Sequence, residues 1–326
     1  MAVPSHTDDG TSSQLEGEED HITKWACLYS LLVLDLYYTE WGEILSEEKI
    51  ELMANLAELN IEGVWCWQWI SQLEKRLPYL QRLRIMKPPV RQAQTSPTDI
   101  ISNSLIDKTK LEVLDLSGNI DMENLPTSLS KASKLQELIL DGCVGLENVV
   151  VANSSLKSFS FDCSKHVDDA DKKHVKISKI SLEGCTQLEK LILCGLPNLV
   201  ELDLSGCPIK ILDFATMVKD VPRLKRLFLL GCEHPRAIRN CSWFRGLLCI
   251  DTRPSRMLGC TRPSSIAQLE GFRLQVHAII TDARLVRSLS RQIHAIVDDR
   301  RWVLKFVYFN INITSSTRSN DKQRDD

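Results

Sequence analysis

A nine-residue phrase recurs along most of this chain. Two clear copies are Leu111-Glu112-Val113-Leu114-Asp115-Leu116-Ser117-Gly118-Asn119 and Leu199-Val200-Glu201-Leu202-Asp203-Leu204-Ser205-Gly206-Cys207. Both read L-x-x-L-x-L-x-x-N/C. The alternating leucines describe a short strand with one apolar side. A unit of this size cannot bury that side alone, so neighbouring units must stack. The phrase therefore dictates a linear array with variable positions on its surface. Such an array builds binding surfaces, which argues against a catalytic reading.

The copies start at Leu31, Leu56, Leu80, Leu111, Leu135, Leu156, Ile177, Leu199 and Leu224, with spacings of 25, 24, 31, 24, 21, 21, 22 and 25. All but one spacing fall in the range of about 20–29 residues expected of leucine-rich repeats. The long spacing holds Lys87-Pro88-Pro89 to Pro97, a Pro/Ser/Gln-rich stretch that reads as an inserted loop. A degraded tenth copy is expected near Phe244. Leu188 also fits the phrase, 11 residues after Ile177, and reads as the return segment of that repeat. The expected fold is an α/β leucine-rich-repeat solenoid. It would be a horseshoe with short parallel strands on its concave face and an irregular C-terminal cap.

Eight residues past a copy's start stand Asn119, Cys143, Cys185, Cys207 and Cys232, with Cys163 one residue early. An inward Asn or Cys there can satisfy backbone groups of the turn leaving the strand. Five of the 11 cysteines in one register is not a disulfide pattern. With an odd count, no C-x-x-C and no signal peptide, the expectation is reduced thiols and a cytoplasmic location. The sequons at Asn153, Asn240 and Asn312 then read as chance matches.

Four segments are expected. Residues 1–22 form a disordered acidic leader, 25–240 the repeats, 241–316 a cap with a degenerate repeat, and 317–326 a polar tail. Ser46-Glu47-Glu48-Lys49 reads as a capped helix start. Asp213 before Phe214, Met217 and Val218 reads the same way. Leu125-Pro126-Thr127-Ser128-Leu129 suggests a shorter turn. In the cap, Phe272 to Val276 and the end of Trp302 to Ile313 alternate as strands, and Thr281 to Leu285 starts a short helix.

Hydrophobic content of 43% suffices for a continuous core, and a net charge of −3 argues against nucleic acid or an anionic membrane as partner. The apolar runs around Leu31–Leu34 and Leu227–Leu230 are far too short for membrane insertion. No phosphate loop, H-E-x-x-H or G-x-S-x-G motif is present, so no cofactor is expected. Cys163, His166 and His174 have partial metal-ligand spacing but lack a fourth ligand. Asp168, Asp169 and Asp171 lack the glycine and terminal glutamate of a calcium loop and read as a solvated insertion. Trp65, Trp67 and Trp69 could form a recognition patch. Packing behind the second repeat is the preferred reading.

Side chains between the inward leucines should face outward. In the central repeats they are Glu112, Asp115, Glu137, Asp141, Asp162, Glu183, Glu201 and Asp203. Toward the ends come Arg82, Arg84 and Lys87, then Lys225, Arg226 and Phe228. One inner surface, acidic in the centre and basic toward both ends, is the candidate protein-binding face. Charge complementarity would serve its specificity; a merely solubilising surface is the alternative.

Longer phrases carry a family resemblance. Tyr29-Ser30-Leu31-Leu32-Val33-Leu34-Asp35-Leu36, Trp41 to Lys49 (WGEILSEEK), Leu77 to Ile85 and Leu196-Pro197-Asn198-Leu199 resemble the repeat domain of plant nucleotide-binding leucine-rich-repeat disease-resistance proteins, in their grass form. Thr281 to Leu285 and Phe309 to Thr314 resemble the same group. The resemblance spans about residues 25–315. Such receptors carry a signalling domain and a nucleotide-binding switch before the repeats, and this sequence shows neither. The resemblance implies a protein partner: a pathogen effector, or a receptor's nucleotide-binding module that the repeats restrain. It does not imply nucleotide binding here. A ubiquitin-ligase substrate adaptor is an alternative, though residues 1–22 are too few and too polar to supply its helical docking module. A zinc or thiol enzyme and a truncated receptor remnant are the others.

Overall fold

The structure is a computed structural model. It describes residues 25–39, 41–63, 73, 76–86, 108–126, 129, 132–164, 167, 174–229, 232, 237–240, 247–251, 274–280, 283–298 and 307–313. The expected leader, the Pro-rich insertion, the tryptophan run, the Asp168–Asp171 stretch and the polar tail lie outside these residues.

Each phrase forms a strand of two to five residues. The first six copies give β1 (Val33–Tyr37), β2 (Glu58–Glu62), β3 (Arg82–Met86), β4 (Val113–Asp115), β5 (Glu137–Ile139) and β7 (Ser158–Asp162). They lie side by side, all parallel, in one sheet. Their registers stack Leu34, Leu59, Leu83, Leu114, Leu138 and Phe159 in one inward row. Every member of that row is buried in a single hydrophobic cluster. Parallel pairing with a long connection between strands is what a solenoid turn supplies. The protein is a parallel-strand leucine-rich-repeat solenoid with little helix.

From Leu135 onward the turns change. Leu146-Glu147-Asn148-Val149-Val150-Val151 repeats the leucine phrase only 11 residues after Leu135. It forms β6 (Asn148–Val150), the first strand of a second sheet. β8 (Lys179–Ser181), β10 (Glu201–Asp203) and β13 (Arg226–Phe228) follow in that second sheet. The first sheet continues instead through β9 (Lys190–Cys194) and β12 (Val218–Lys219).

Leu188 is therefore not a strandless return segment. It opens β9, which pairs with β7 in the first sheet. The copies starting at Ile177, Leu199 and Leu224 lie in the second sheet. The physical reason is length. Eleven residues make half a turn, so alternate phrases land on alternate sides of the core. The first return segment is helical instead: Trp41–Leu45 is a 3-10 turn and α1 spans Glu47–Leu52. They lack a period-two apolar pattern, and the second sheet is absent from the described residues there.

Ser46 precedes α1 as expected, but its side chain makes no capping bond. Its carbonyl accepts the N–H groups of Lys49 and Ile50. Asp213 departs from its expected role. It ends β11 (Ile211–Asp213), caps a turn through the N–H of Ala215 at 2.8 Å, and β12 follows instead of a helix. β11 pairs with β14 (Ala237–Arg239) in a small third sheet.

Toward the C-terminus, β15 (Leu247–Asp251), β16 (Leu274–Ile280) and β17 (Val307–Ile313) extend the second sheet. The register sets Leu227 opposite Ile250, so the degraded tenth copy starts at Leu247 rather than Phe244. The helix begun near Thr281 is α2 (Ala283–Asp298), longer than expected at 16 residues. It buries Leu285 and Leu289, and Ser288 Oγ donates to the Ile238 carbonyl at 3.0 Å.

The asparagine and cysteines at the end of the phrase form a ladder. Asn119 Nδ2 donates to the carbonyls of Ile85 and Leu116, at 2.8 and 2.5 Å. Cys143 Sγ donates to Leu116 O at 3.0 Å, Cys207 to Leu182 O at 3.2 Å and Cys232 to Leu204 O at 3.1 Å. Cys185 reaches Val151 O at 3.5 Å. Each thiol thus satisfies the strand-end carbonyl of the preceding turn in its own sheet. The glycine before each of Asn119, Cys143, Cys185 and Cys207 enters the left-handed region: Gly118, Gly142 and Gly206 at φ 75° and Gly184 at 82°. The phrase needs glycine there because a Cβ would strain that conformation.

Gly145 serves differently. A Cβ on it would sit 2.5 Å from Ile120 O and 3.0 Å from Met122 O, both backbone atoms of the preceding turn. Gly145→Ala is expected to destabilise the fold by about 1–3 kcal/mol, the usual cost of overpacking. A thermal melt unchanged from the parent would refute that close approach.

Candidate protein-docking faces

The outward side chains fall on two surfaces. On the first sheet, in-register rows carry Glu58, Arg82, Val113, Glu137, Ser158 and Lys190, then Asn60, Arg84, Asp115, Ile139, Ser160 and Ile192. Arg82 pairs with Glu58 at 3.3 Å and Arg84 with Asp115 at 3.9 Å. Glu112 precedes β4 and is half-buried. Glu137 accepts a hydrogen bond from Ser158 Oγ at 3.4 Å. Asp141 accepts from Ser160 Oγ at 2.7 Å and the Asp162 N–H at 2.8 Å. Burial raises the Asp141 carboxyl above the ordinary carboxylate range, and the two hydrogen bonds oppose that.

The second sheet carries Glu183, Glu201, Asp203, Arg226 and Phe228. Glu201 lies between Lys179 at 3.0 Å and Arg226 at 3.2 Å, an ion row across β8, β10 and β13. Glu201, Asp203 and Phe228 are buried, at 7%, 0% and 2% exposure, so a partner cannot rest on them in this conformation. Glu183 is exposed and Arg226 half-buried. The structure thus brings Arg82, Arg84, Glu112, Asp115, Glu137 and Asp141 together, and sets Glu183, Glu201, Asp203, Arg226 and Phe228 on the other sheet.

The expected order of charge survives on the first sheet with different residues at its far end. After β1 and β2, which carry Asp35, Glu58 and Glu62, come Arg82 and Arg84, then the acidic groups of β4 to β7, then Lys190 and Lys219. Sequence reasoning missed Lys190 because the Leu188 segment was not read as a strand, and Lys219 because the segment after Asp213 was read as a helix start.

Some acidic groups also have a structural task. Asp115 Oδ1 accepts from the N–H and Oγ of Ser117, at 3.0 and 2.5 Å. Asp162 does the same with Ser164, at 2.8 and 2.5 Å. Asp203 accepts from the Ser205 N–H at 3.0 Å, and Asp35 from the Tyr37 N–H at 3.1 Å. These Asx turns bend the chain out of the strand. The signal was an Asp two residues before a Ser.

Among the described residues, no group of three His, Cys, Asp or Glu side chains could hold a metal ion. His166 of the Cys163 cluster lies outside them. No described helix is long and apolar enough to cross a membrane. The Asn153 amide donates to Ala132 O at 2.9 Å and the Asn240 amide to Asp213 Oδ1 at 2.9 Å, so both sequon nitrogens are engaged.

No protein-family model matches the chain, and none of the curated proteins matches it. Among solved structures it is similar to a leucine-rich-repeat protein of Leptospira interrogans, 17% identical, covering 90% of this chain and 81% of that one, with a TM-score of 0.27. An internalin of Listeria monocytogenes is 18% identical over 85% of this chain and 92% of its own, with a TM-score of 0.25. The InlJ functional domain of the same organism, described as including a cysteine ladder, is 14% identical over 88% and 65%, with a TM-score of 0.25.

Proposed function

We propose that this protein is a non-enzymatic interaction solenoid that holds a protein partner on the outward face of its first sheet. The base–acid–base order along that sheet from β3 to β12 carries the reading. Arg82 and Arg84, then Glu112, Glu137 and Asp141, then Lys190 and Lys219 share one surface. Complementary charge there would steer association and reject wrong partners. Residues 241–316 would cap the open end of the array. The ladder thiols donate hydrogen bonds only while reduced, which suits a cytoplasmic setting.

The finer reading is a role in plant innate immunity, recognising a pathogen effector or restraining a nucleotide-binding switch module. It rests on the resemblance of the longer phrases to disease-resistance receptors. For a partner bound by the intact chain, Glu112→Lys with Glu137→Lys is expected to lower affinity at least tenfold, about 1.4 kcal/mol. Glu183→Lys, on the second sheet, should leave it unchanged. Calorimetry on both variants decides the matter. The reverse pattern would move docking to the second sheet, and indifference to both would remove the charged face from the function.

A further inference from the structure

We propose that the free edge of β1 is a strand-addition site for an extended polypeptide segment carrying a basic residue between apolar ones. β1 ends the first sheet, and among the described residues it pairs only with β2. The Glu58 N–H donates to Leu32 O, and the Tyr38 N–H to Glu62 O. Even-numbered residues of β1 therefore turn their amide groups toward β2. Val33, Asp35 and Tyr37 turn theirs toward the edge, where the Tyr37 N–H is held by Asp35 Oδ1 at 3.1 Å and an added strand would take its place. A further strand can hydrogen-bond there, as in β-augmentation.

The side chains at this edge differ from those at the same positions in later turns. Leu32, Val33 and Tyr37 are 60%, 55% and 58% exposed. The register places Glu58, Arg82, Val113 and Glu137 where β1 has Val33, and Glu62 and Met86 where it has Tyr37, so charged groups interrupt the apolar ones there. Tyr38 and Trp41 extend the apolar surface into the following turn. Exposed edges in soluble proteins are ordinarily guarded by Lys, Pro or a bulge. β1 contains neither Lys nor Pro.

Charge selects the occupant. Asp35, Glu43, Glu47, Glu48 and Glu51 are exposed around this end of the solenoid, and Arg76 pairs with Glu47 and Glu51, leaving the acids in excess. Lys49 is only half-exposed, bonded to Glu43 O and stacked over Trp25. A second copy would bring two acidic edges together, and an antiparallel pairing centred on the strand would set Asp35 against Asp35. Like charges directly opposite are destabilising. A segment with Lys or Arg beside Asp35 would meet complementary charge. Apolar residues beside Val33 and Tyr37 would cover that side. Apolar residues beside Leu34 and Leu36 would cover the open end of the core. This edge is separate from the charged face above and stands independently of it.

The test uses the full chain and labelled peptides read by fluorescence anisotropy. The probe is Lys-Lys-Val-Leu-Lys-Leu-Val-Lys-Lys. Its controls are the same peptide with glutamate for lysine, and one N-methylated at alternate amides. The lysine peptide is expected to bind at least tenfold tighter than the glutamate peptide, and N-methylation to abolish binding. Val33→Lys and Asp35→Lys should each weaken it at least tenfold with an unchanged melting midpoint. Glu183→Lys should not affect it. Equal binding of both charged peptides, or none, overturns the proposal. So does equal weakening by Glu183→Lys, which would mark generic charge attraction. A dimer in sedimentation that Val33→Lys dissociates would also overturn it, by making a second copy the occupant.

Discussion

Asn119→Ala is expected to destabilise the protein by about 1–3 kcal/mol, because it leaves the buried Ile85 carbonyl unpaired, whereas Leu116 O keeps the Cys143 thiol as donor. Asn119 is fully buried, and its amide nitrogen serves two carbonyls, Ile85 O and Leu116 O. These belong to consecutive strands of the first sheet, so one side chain ties β3 to β4. Its Oδ1 has no hydrogen-bond partner among the described residues. The position therefore depends on the two N–H donors rather than on the whole amide. Asn119→Cys should cost less than the alanine variant, because thiols at the equivalent position each satisfy one carbonyl. Urea unfolding at neutral pH measures both. An alanine variant within about 0.5 kcal/mol of the parent, the scale of an ordinary surface change, would show that the ladder contributes little.

The ladder was legible in the sequence, whereas the position of the chain around the solenoid was not. Asn119, Cys143, Cys185, Cys207 and Cys232 share a register that only a repeated turn explains, and all five donate to strand-end carbonyls. The strands were legible for the same reason. Leu114 and Leu116 alternate inward, and the period of two survives any tertiary context. Which sheet a strand joins depends on the length of the return, and that is a tertiary fact. Val149 and Val151 carry the same phrase as Leu138 and Leu140, 11 residues later. Period alone cannot say whether such a copy is a new turn or the far side of the same one. Glu201 and Asp203 illustrate the consequence. They look like surface charges in an outward register. In the structure one is locked between Lys179 and Arg226, and the other is wholly buried.

The candidate face was half legible. Arg82, Glu137 and Asp141 were placed correctly beside one another because the first five copies are separated by full turns. Lys190 escaped because its strand opens on a copy that looked like a return, and Lys219 because the stretch after Asp213 looked like a helix start. Asp115 shows why outward polarity alone is a weak guide to binding. It faces outward, yet both its turn bonds and its pairing with Arg84 are internal to the solenoid. A partner would read Glu112 and Glu137 more easily, since neither holds a turn.

Above pH 9 the fold is expected to lose stability steeply through its buried thiols. A cysteine's ordinary pKa is 9.0. Burial, the largest cause in each case, holds Cys163 up to about 12 and Cys232 up to about 11. It raises Cys143 and Cys207 further. The sign follows from proton binding. Below about pH 9 folded and unfolded chains both keep these protons, and the contribution to stability is fully present. Above it, the unfolded chain releases protons that the folded chain retains, so stability falls as pH rises toward the folded values. Each thiol then costs about 1.4 kcal/mol per pH unit. Four acting together cost about 5 kcal/mol per unit, against a total stability of about 5–15 kcal/mol. Urea unfolding at pH 8, 9, 9.5 and 10 measures the slope. Tyrosine and lysine also titrate near the top of this range, so the decisive quantity is the difference between parent and variant. Cys207→Ala removes a hydrogen bond to Leu182 O, a loss independent of pH, and should also make the alkaline slope shallower by about 1.4 kcal/mol per unit. Parallel profiles for parent and variant would mean that the thiol ionises as readily inside the fold as outside it, and that the ladder is open to solvent.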